Sequence, residues 1–212
     1  MADYSLTVPA GTTRLVVETD PQTRPGFEYR LEAGSNTTIV IPVAKTAEIT
    51  RSLILAGRGA TVTCIGLAVL NGRDEALIHT LQRHDAPDTT SYLHFNSVLS
   101  GDSRLTYDGG IFVAPAARKT DAYQRNENLL LSEGADVRSK PALEILANDV
   151  RCTHGATVSA VDPDQLYYLT TRGISPDRAV SLIARGFIAK LLSRISDAGV
   201  RRTVEDITDR WL

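Results

Sequence analysis

The chain has little of what marks several large protein classes. Its 212 residues carry a formal net charge of only −2 and include one tryptophan and two cysteines. Nucleic-acid binding needs a clustered Lys/Arg face, whereas the one short basic run, Arg201-Arg202, is typical of a solvated helix face. We therefore predict no nucleic-acid partner. No run approaches the ~20 apolar residues that span a bilayer, so no membrane span is predicted either.

The two cysteines, Cys64 and Cys152, stand far apart, and the chain does not open with a basic segment followed by an apolar one. The absence of such an opening predicts that there is no secretory signal. Cysteines in a chain without such a signal are more often free thiols than a disulfide. We therefore expect two free thiols and a cytoplasmic protein.

Familiar catalytic motifs are also missing. The glycines of Gly57-Arg58-Gly59 are not followed by the Gly-Lys-Ser/Thr of a phosphate-binding loop. The sequence has no nucleophile elbow, no Cys-x-x-Cys pair and no His-Glu-x-x-His helix. The chain is therefore not expected to be an enzyme of a familiar hydrolytic or redox type.

Up to about residue 160 the sequence is a series of short β-rich segments separated by turn residues. The segments rich in β-branched or alternating residues are 4–8, 14–18, 38–41, 60–66, 76–80, 91–95, 104–107, 110–113, 128–132 and 142–145. Turns are predicted at 57–59, 71–72, 100–102, 109–110 and 133–134. Many short strands are typical of a sandwich, a barrel or a parallel β-solenoid.

A recurring corner favours the solenoid. A glycine followed closely by a small residue opens successive segments at Gly59-Ala60, at Gly101 with Ser103, at Gly134-Ala135 and at Gly155-Ala156. Stacked coils need small residues where the chain turns, and a self-similar corner indicates a repeat. The period is irregular, so the pattern alone leaves a sandwich nearly as well supported.

After residue 160 the periodicity becomes helical. Two helix starts, each an N-cap residue followed by proline, stand at Asp162-Pro163 and Ser175-Pro176. Gly173 and Gly199 are expected to end these two helices.

Apolar residues at helical spacing support the second helix from Ala179 to Ile195, and a third amphipathic helix is predicted from Val200 to Trp211. We therefore predict a β-region over residues 1–160 and a small helical domain over residues 161–212.

Two groups of residues have metal-ligand chemistry. His79, His84 and His94 lie in one β-rich stretch, but we interpret them as surface or turn histidines on separate coils rather than as ligands. In Cys152-Thr153-His154 the thiol and the imidazole share a strand face, which makes a plausible half-site for iron or zinc. Spacing alone favours a structural interpretation, with a core cysteine and a hydrogen-bonded histidine.

Longer blocks resemble the SufB/SufD family of iron–sulfur cluster assembly proteins. They are residues 110–145, 148–175 and 179–187, preceded by a similar segment at 84–110, and the second block contains Cys-Thr-His-Gly-Ala-Thr at 152–157. Together they cover about half of the chain in the family's order, so the resemblance is specific. Residues 1 to about 80 carry no motif that we can place.

The resemblance implies a right-handed parallel β-helix followed by a small C-terminal α-helical domain. It also implies a non-catalytic subunit of a SUF-type complex that docks a SufC-type ABC ATPase through about residues 162–195. The β-helix is expected to pair with a second SufB/SufD-type subunit, as a homodimer or a heterodimer, with a transient iron–sulfur cluster or iron at the interface. ATP hydrolysis is expected in the partner ATPase.

Within this family the sequence resembles SufD more than SufB. SufB-type chains carry a scaffold cysteine where this chain has Ala135, and a glutamate where it has Gly155. The SufD-type interface histidine matches His154, and Cys152 matches the cysteine two residues before it. The resemblance therefore implies these two as metal ligands, with a core role also open for Cys152. The chain has about half the usual SufD length, which predicts a truncated N-terminal side.

Two other functions stay open. A structural subunit that holds the ATPase dimer but binds no metal is favoured by the absence of a cysteine at Ala135. A β-solenoid enzyme acting on polysaccharide is more distant, because the sequence shows no arrangement of carboxylates suited to hydrolysis.

Overall fold

The computed structural model describes residues 4–208, which form twelve β-strands and three α-helices. The odd-numbered strands are β1 (Tyr4–Val8), β3 (Gly26–Leu31), β5 (Ala47–Leu55), β7 (Glu75–His84), β9 (Arg104–Val113) and β11 (Asp136–Ile145). The even-numbered strands are β2 (Thr13–Val17), β4 (Asn36–Val43), β6 (Thr61–Leu70), β8 (Thr90–Leu99), β10 (Asp121–Leu130) and β12 (Arg151–Ala160). A short 3₁₀ helix, Pro21–Thr23, connects β2 to β3.

Successive strands alternate between two six-stranded sheets. The odd sheet has the order β1-β3-β5-β7-β9-β11, and the even sheet has the order β12-β10-β8-β6-β4-β2. All neighbouring strands pair in parallel. Each coil therefore adds one strand to either sheet and stacks on the previous coil, which is a parallel β-solenoid. This confirms the predicted solenoid and excludes a sandwich of hairpins; the right-handed turn stays a prediction.

The corners between odd and even strands contain a stack of residues in the left-handed backbone region. Five of them have φ between 58° and 71°: Gly11, Gly34, Gly59, Asp88 and Lys119. Their N–H groups donate to the corner of the next coil, for example from Asp88 to the carbonyl of Arg118 at 2.9 Å. Glycine adopts this conformation freely, whereas a side chain makes it costly at Asp88 and Lys119.

The predicted glycine corners are confirmed at Gly59 and Gly101, which have positive φ. The predictions that Gly109-Gly110 is a turn and that Gly155 opens a segment were wrong, because these residues lie inside β9 and β12. A Cβ on Gly109 would lie 1.9 Å from Nε2 of Gln124. This glycine therefore makes room for a side chain in the interior rather than for a turn.

Three helices follow the last strand: α1 (Pro163–Thr171), α2 (Pro176–Leu192) and α3 (Ala198–Thr208). The side chain of Asp162 caps α1 by accepting the N–H of Asp164 at 2.9 Å. The apolar side of α2 packs on the outer face of the even sheet. The shared cluster contains Val40, Ile65, Val98 and Leu129 from the strands and Ala184, Ile188 and Leu191 from the helix.

The change from strands to helices falls between Ala160 and Pro163, as predicted. The prediction that Gly199 ends the second helix was wrong, because α2 ends at Leu192 and Gly199 lies inside α3. The predicted end of the third helix at Trp211 lies outside the described residues. The division into domains at 1–160 and 161–212 stays a prediction.

Candidate functional site

The last coil, β11 and β12, has an open edge, because each of its strands has a neighbour on one side only. Arg151 donates its N–H to Thr120 at 2.8 Å, and Asp136 donates its N–H to Ser103 at 3.0 Å. Peptide groups alternate in direction along a strand. Odd-numbered residues of β11 and even-numbered residues of β12 therefore direct their N–H and C=O groups to the open edge, which is ready to pair with another chain.

The register of this coil places Pro141 opposite His154 across the interior. Pro141 pairs with Gly109, and His154 pairs with Gln124. Gly109 and Gln124 meet across the interior of the coil below, as the short distance to a Cβ on Gly109 shows. Pro141 also removes one N–H from the edge of β11, whereas β12 contains no proline.

Cys152 and His154 lie two residues apart on β12, so their side chains point to the same face. They pair in register with Ala122 and Gln124, which are both buried inside the solenoid. The two residues expected as ligands therefore lie side by side on the inward face of the last strand. Their role as ligands stays a prediction.

The surroundings of these two side chains differ. Cys152 is half-buried, and burial is the main reason that the pKa of its thiol is raised. His154 is exposed at the open end. Cys152 packs against an apolar cluster of Ile111, Val113, Ala117 and Ala122. Since metals bind the thiolate, a metal at Cys152 would have to displace the proton that this environment favours.

A single chain supplies only part of a metal site here. Within residues 4–208 there is no group of three or more His, Cys, Asp or Glu side chains that could hold a metal ion. Ala135 is buried just before β11 and adds no donor. A Cβ on Gly155 would meet no atom within 4 Å, so the strand is open beside His154 and this position adds no donor either.

The interior beneath His154 contains polar groups that the sequence analysis did not single out. Three of the five buried side-chain atoms that have no hydrogen-bond partner among the described residues belong to this group: Oε1 of Gln82, Nε2 of Gln124 and Oγ of Ser139. Nε2 of Gln82 lies 3.5 Å from Oε1 of Gln124. In each of these two side-chain amides, one polar atom therefore has a hydrogen-bond partner and the other has none. Buried groups left in this state cost free energy and are rare in native interiors. The sequence signal that could have revealed these groups is the presence of polar residues at inward positions of a strand.

The open end also exposes apolar side chains. Leu143 and Ile145 on β11 and Val158 on β12 have 38%, 39% and 48% of their surface exposed. They occupy inward positions of the last coil, where a further coil or a partner would cover them. Exposed apolar patches of this kind mark interaction sites.

The C-terminal helices also expose large apolar side chains. Tyr167 and Tyr168 on α1 have 71% and 58% of their surface exposed, and Leu182 on α2 has 43%. Exposed aromatic side chains are enriched where proteins bind each other.

The three histidines of the β-rich stretch lie apart. His84 is fully buried, with its ring nitrogens 2.7 and 2.8 Å from the hydroxyls of Thr89 and Ser91. Burial lowers the pKa of His84, and that of His94, to about 4. The interpretation as surface or turn histidines fits His79, which is partly exposed, and His84, which ends β7 beside the turn that contains Thr89, but it is wrong for His94, which is buried inside β8. The prediction that each lies on a separate coil was wrong for His79 and His84, because both belong to β7.

Two other predictions can be compared with the structure. Cys64 and Cys152 are both free thiols, as expected, and Cys64 is buried. Among the helices between residues 4 and 208, none combines the length and the apolar character needed to cross a membrane.

Comparison with known proteins gives consistent similarities. Residues 31–187 match the family model of the SUF system FeS cluster assembly SufBD core domain. The chain is 37% identical over 150 residues to the iron–sulfur cluster assembly protein SufD of Escherichia coli (strain K12). The aligned region covers 64% of this chain and 36% of that protein. It is 33% identical over 138 residues to a SufBD family protein of Synechocystis sp., covering 65% of this chain and 30% of the relative.

A SufBD family protein of Mycobacterium leprae is 28% identical over 165 residues, covering 74% of this chain and 42% of the relative. The chain thus spans between 30% and 42% of the length of these relatives. The family match runs from the end of β3 through most of α2 and includes the open end with Cys152 and His154.

Proposed function

The chain belongs to the SufBD core family of the SUF iron–sulfur cluster assembly system, and we propose that it acts as a non-catalytic scaffold subunit of a SUF-type complex in the cytoplasm. The open end of the solenoid pairs with a like subunit, and the C-terminal helices dock a SufC-type ATPase. An iron–sulfur cluster or iron is the cargo at the subunit interface, and ATP is hydrolysed by the partner.

The observation that carries this proposal is the position of Cys152 and His154 on an unpaired strand edge. An edge strand recruits another strand through its free peptide groups. Apolar side chains around the edge, such as Leu143 and Val158, gain burial when a partner covers them. The same contact would enclose the two donors, so pairing and cargo binding involve one surface.

The donor chemistry suits iron–sulfur cargo. Thiolate sulfur and imidazole nitrogen are found together in clusters that mix the two ligand types. The raised pKa of the Cys152 thiol means that loading releases a proton and is favoured by higher pH. Two donors leave coordination positions open, which suits cargo that is passed on rather than kept.

The helical segment at residues 162–195 supports the ATPase contact. Tyr167 and Tyr168 on α1 and Leu182 on α2 are large apolar side chains that are exposed. The opposite side of α2 is fixed to the even sheet by buried residues such as Ile188. A partner that binds the exposed side would therefore act on the sheet that ends in β12.

Anaerobic reconstitution of the co-expressed complex with ferrous iron and sulfide tests the cargo site. We expect a Cys152→Ala/His154→Ala variant to lose most of the bound iron and cluster absorbance. The control variant Cys64→Ala/His79→Ala removes the same two residue types elsewhere and should load normally. If the Cys152/His154 variant loads and transfers clusters like the parent, the ligand assignment is wrong.

A structural subunit that binds no metal is the second candidate. The packing of Cys152 against Ile111, Val113 and Ala122 favours it, because a cysteine in such a cluster behaves as a small apolar side chain. In that case the complex would retain a SufC-type ATPase in a pull-down while the parent protein contains no iron above the level of the Cys152/His154 variant.

A further inference from the structure

The outer face of the odd sheet contains a shallow depression of about 480 Å³. It crosses the middle of strands β5, β7, β9 and β11, whereas helix α2 packs on the other sheet. Its volume lies within the ~300–1,000 Å³ that is usual for small-molecule sites. Cys152 and His154 belong to the even sheet and face the interior, so the depression is separate from the proposed cargo site.

Small and apolar side chains form the floor of the depression. The strand register places four of them in one row across neighbouring strands: Ser52, Leu81, Gly110 and Ala142. Gly110 has no side chain, and a Cβ at this position would lie 3.3 Å from Cδ1 of Leu81. The row is therefore low and mostly apolar, and an aliphatic group that lies across it would lose contact with water.

A polar row forms one wall of the depression. It consists of four residues that are again in register on the same strands: Thr50, His79, Asp108 and Lys140. Nδ1 of His79 lies 3.3 Å from Oδ2 of Asp108, whereas Oδ1 of Asp108 is buried and has no hydrogen-bond partner among the described residues. A buried acceptor in this state costs free energy, so a ligand that brings a donor to Oδ1 removes that cost.

Lys140 is the neighbour of Asp108 in register, but it does not neutralise the carboxylate. Within residues 4–208 no ion pair joins Lys140 to Asp108 or to another carboxylate. Neighbouring strands are ~4.8 Å apart, so the wall contains a negative and a positive group side by side that do not pair with each other. A ligand with adjacent ammonium and carboxylate groups can contact both in the complementary order.

Ligands of a single charge fit this wall less well. A carboxylate or a phosphate that binds Lys140 approaches the negative charge of Asp108, and an amine that binds Asp108 approaches the positive charge of Lys140. Like charges at this separation repel each other. The apolar floor adds a third requirement, because it gains burial only from an apolar group. A free amino acid with an aliphatic side chain meets all three requirements.

We propose that the depression binds a free α-amino acid with an aliphatic side chain. The ammonium group of the ligand donates to Oδ1 of Asp108, and its carboxylate accepts from Nζ of Lys140. Its side chain covers Leu81 and Gly110 on the floor. His79 holds the carboxylate of Asp108 in place and does not contact the ligand. This binding does not depend on the proposed iron–sulfur role, because none of these residues lies in the cargo site or on the helices.

Titration of the full-length, isotope-labelled chain with L-leucine, followed by amide chemical shifts, tests the proposal. We expect saturable shifts centred on Asp108, Gly110 and Lys140, with a dissociation constant in the millimolar range because an open depression covers only part of the ligand. Isocaproate lacks the ammonium group, isoamylamine lacks the carboxylate, and glycine lacks the aliphatic side chain. Each of the three should bind about tenfold more weakly than leucine, or weaker still.

Substitutions on the outer face separate the contributions of the wall and the floor. Asp108→Asn and Lys140→Met each remove one charge with little change of shape, and each should weaken leucine binding by roughly tenfold or more. Ala142→Leu fills the floor without a change of charge and should abolish saturable binding. Glu144→Gln is the matched control, because it removes a charge from the same face of β11 outside the depression, and it should bind leucine like the parent. Thermal melting checks that all four variants are folded.

Several results would overturn the proposal. Leucine shifts that are absent, that do not saturate or that lie outside the depression show that there is no such site. Asp108→Asn or Lys140→Met variants that bind leucine like the parent show that the two charges do not hold the ligand. Isocaproate or isoamylamine that binds as tightly as leucine shows a site for a single charge, and a loss of binding in Glu144→Gln shows a general effect of net charge.

Discussion

Arg51 and Glu18 form an ion pair inside the solenoid, with Nη2 of Arg51 2.6 Å from Oε2 of Glu18. The Arg51 side chain is 1% exposed, and its other N–H groups include donors to the carbonyls of Pro21 at 2.8 Å and Pro25 at 3.0 Å. Tyr29 donates its hydroxyl to Glu18 at 2.6 Å. The pair therefore fastens the connection between β2 and β3 to the interior.

Replacing Arg51 should be among the most destabilising single changes in the chain. Arg51→Met leaves the Glu18 carboxylate buried without its cation, which costs roughly 3–5 kcal/mol in the free energy of unfolding. Urea denaturation measures this loss. The control Arg104→Met removes a cation from a pair whose two side chains are 65% and 64% exposed, and it should cost less than about 1 kcal/mol. Equal losses of stability in the two variants would contradict this role of the buried Arg51–Glu18 ion pair.

The buried His84 makes the stability of the fold depend on pH. Its pKa is lowered to about 4 by burial, whereas an unfolded histidine titrates near pH ~6.5. Between these values the unfolded chain binds the extra proton, so stability is complete above about pH 6.5 and falls as pH drops toward 4, by up to about 3 kcal/mol. His94, whose pKa is also lowered to about 4, adds to the same trend.

Urea denaturation of the parent between pH 4 and pH 7 measures this slope. Because His84→Gln cannot take up a proton, it should flatten the slope even though it lowers stability at pH 7. His79→Gln changes a partly exposed histidine and serves as the matched control. An unchanged slope in His84→Gln would show that other groups determine the acid sensitivity.

The sequence predicted the elements whose causes are local. The helix starts at Pro163 and Pro176 follow from an N-cap residue and a proline that stand next to each other. Strand β5 was missed because Arg51 interrupts its apolar alternation. The charge is compatible with an interior position only because Glu18 lies beside it, and a contact between residues 33 positions apart leaves no trace in a local pattern.

In the candidate site, too, the sequence predicted the local relations between residues and missed those that depend on distant segments. Period-two alternation was enough to place Cys152 and His154 on one face, because that relation is internal to a strand. The polar atoms of Gln124 and Ser139 beneath them depend on the register between strands about one coil apart. Pairing between distant segments is set by the whole stack, so their proximity to His154 could be recognised only from the structure.

Lys119 can be used to test whether a side chain causes backbone strain at the corners with positive φ. Its φ of 58° lies in the region where a side chain costs roughly 1 kcal/mol relative to glycine. Lys119→Gly should therefore raise the free energy of unfolding, or at least leave it unchanged, despite the greater freedom of glycine in the unfolded chain. Lys45→Gly, at an exposed corner residue outside the set with positive φ, should lower it by about 0.5–1 kcal/mol. Equal losses in both variants would argue against strain at Lys119.

The exposed tyrosines of α1 should decide whether the helical segment binds the ATPase. Tyr167 and Tyr168 present large aromatic surfaces without belonging to the packed side of the helices, and truncating such anchors commonly weakens binding by 2 kcal/mol or more, about 30-fold. We therefore expect Tyr167→Ala/Tyr168→Ala to abolish capture of a SufC-type ATPase in a pull-down and to leave thermal stability nearly unchanged.

Tyr4→Ala provides the matched control, because Tyr4 is also exposed, at 46%, but lies in the first coil, at the other end of the solenoid. It should capture the ATPase like the parent. If the helix variant also retains full capture, the docking surface must lie elsewhere, and the apolar exposure of α1 would need another partner. If only the helix variant fails, the exposed side of α1 is the contact, and the helix that follows it, α2, packs on the even sheet, whose last strand, β12, contains His154.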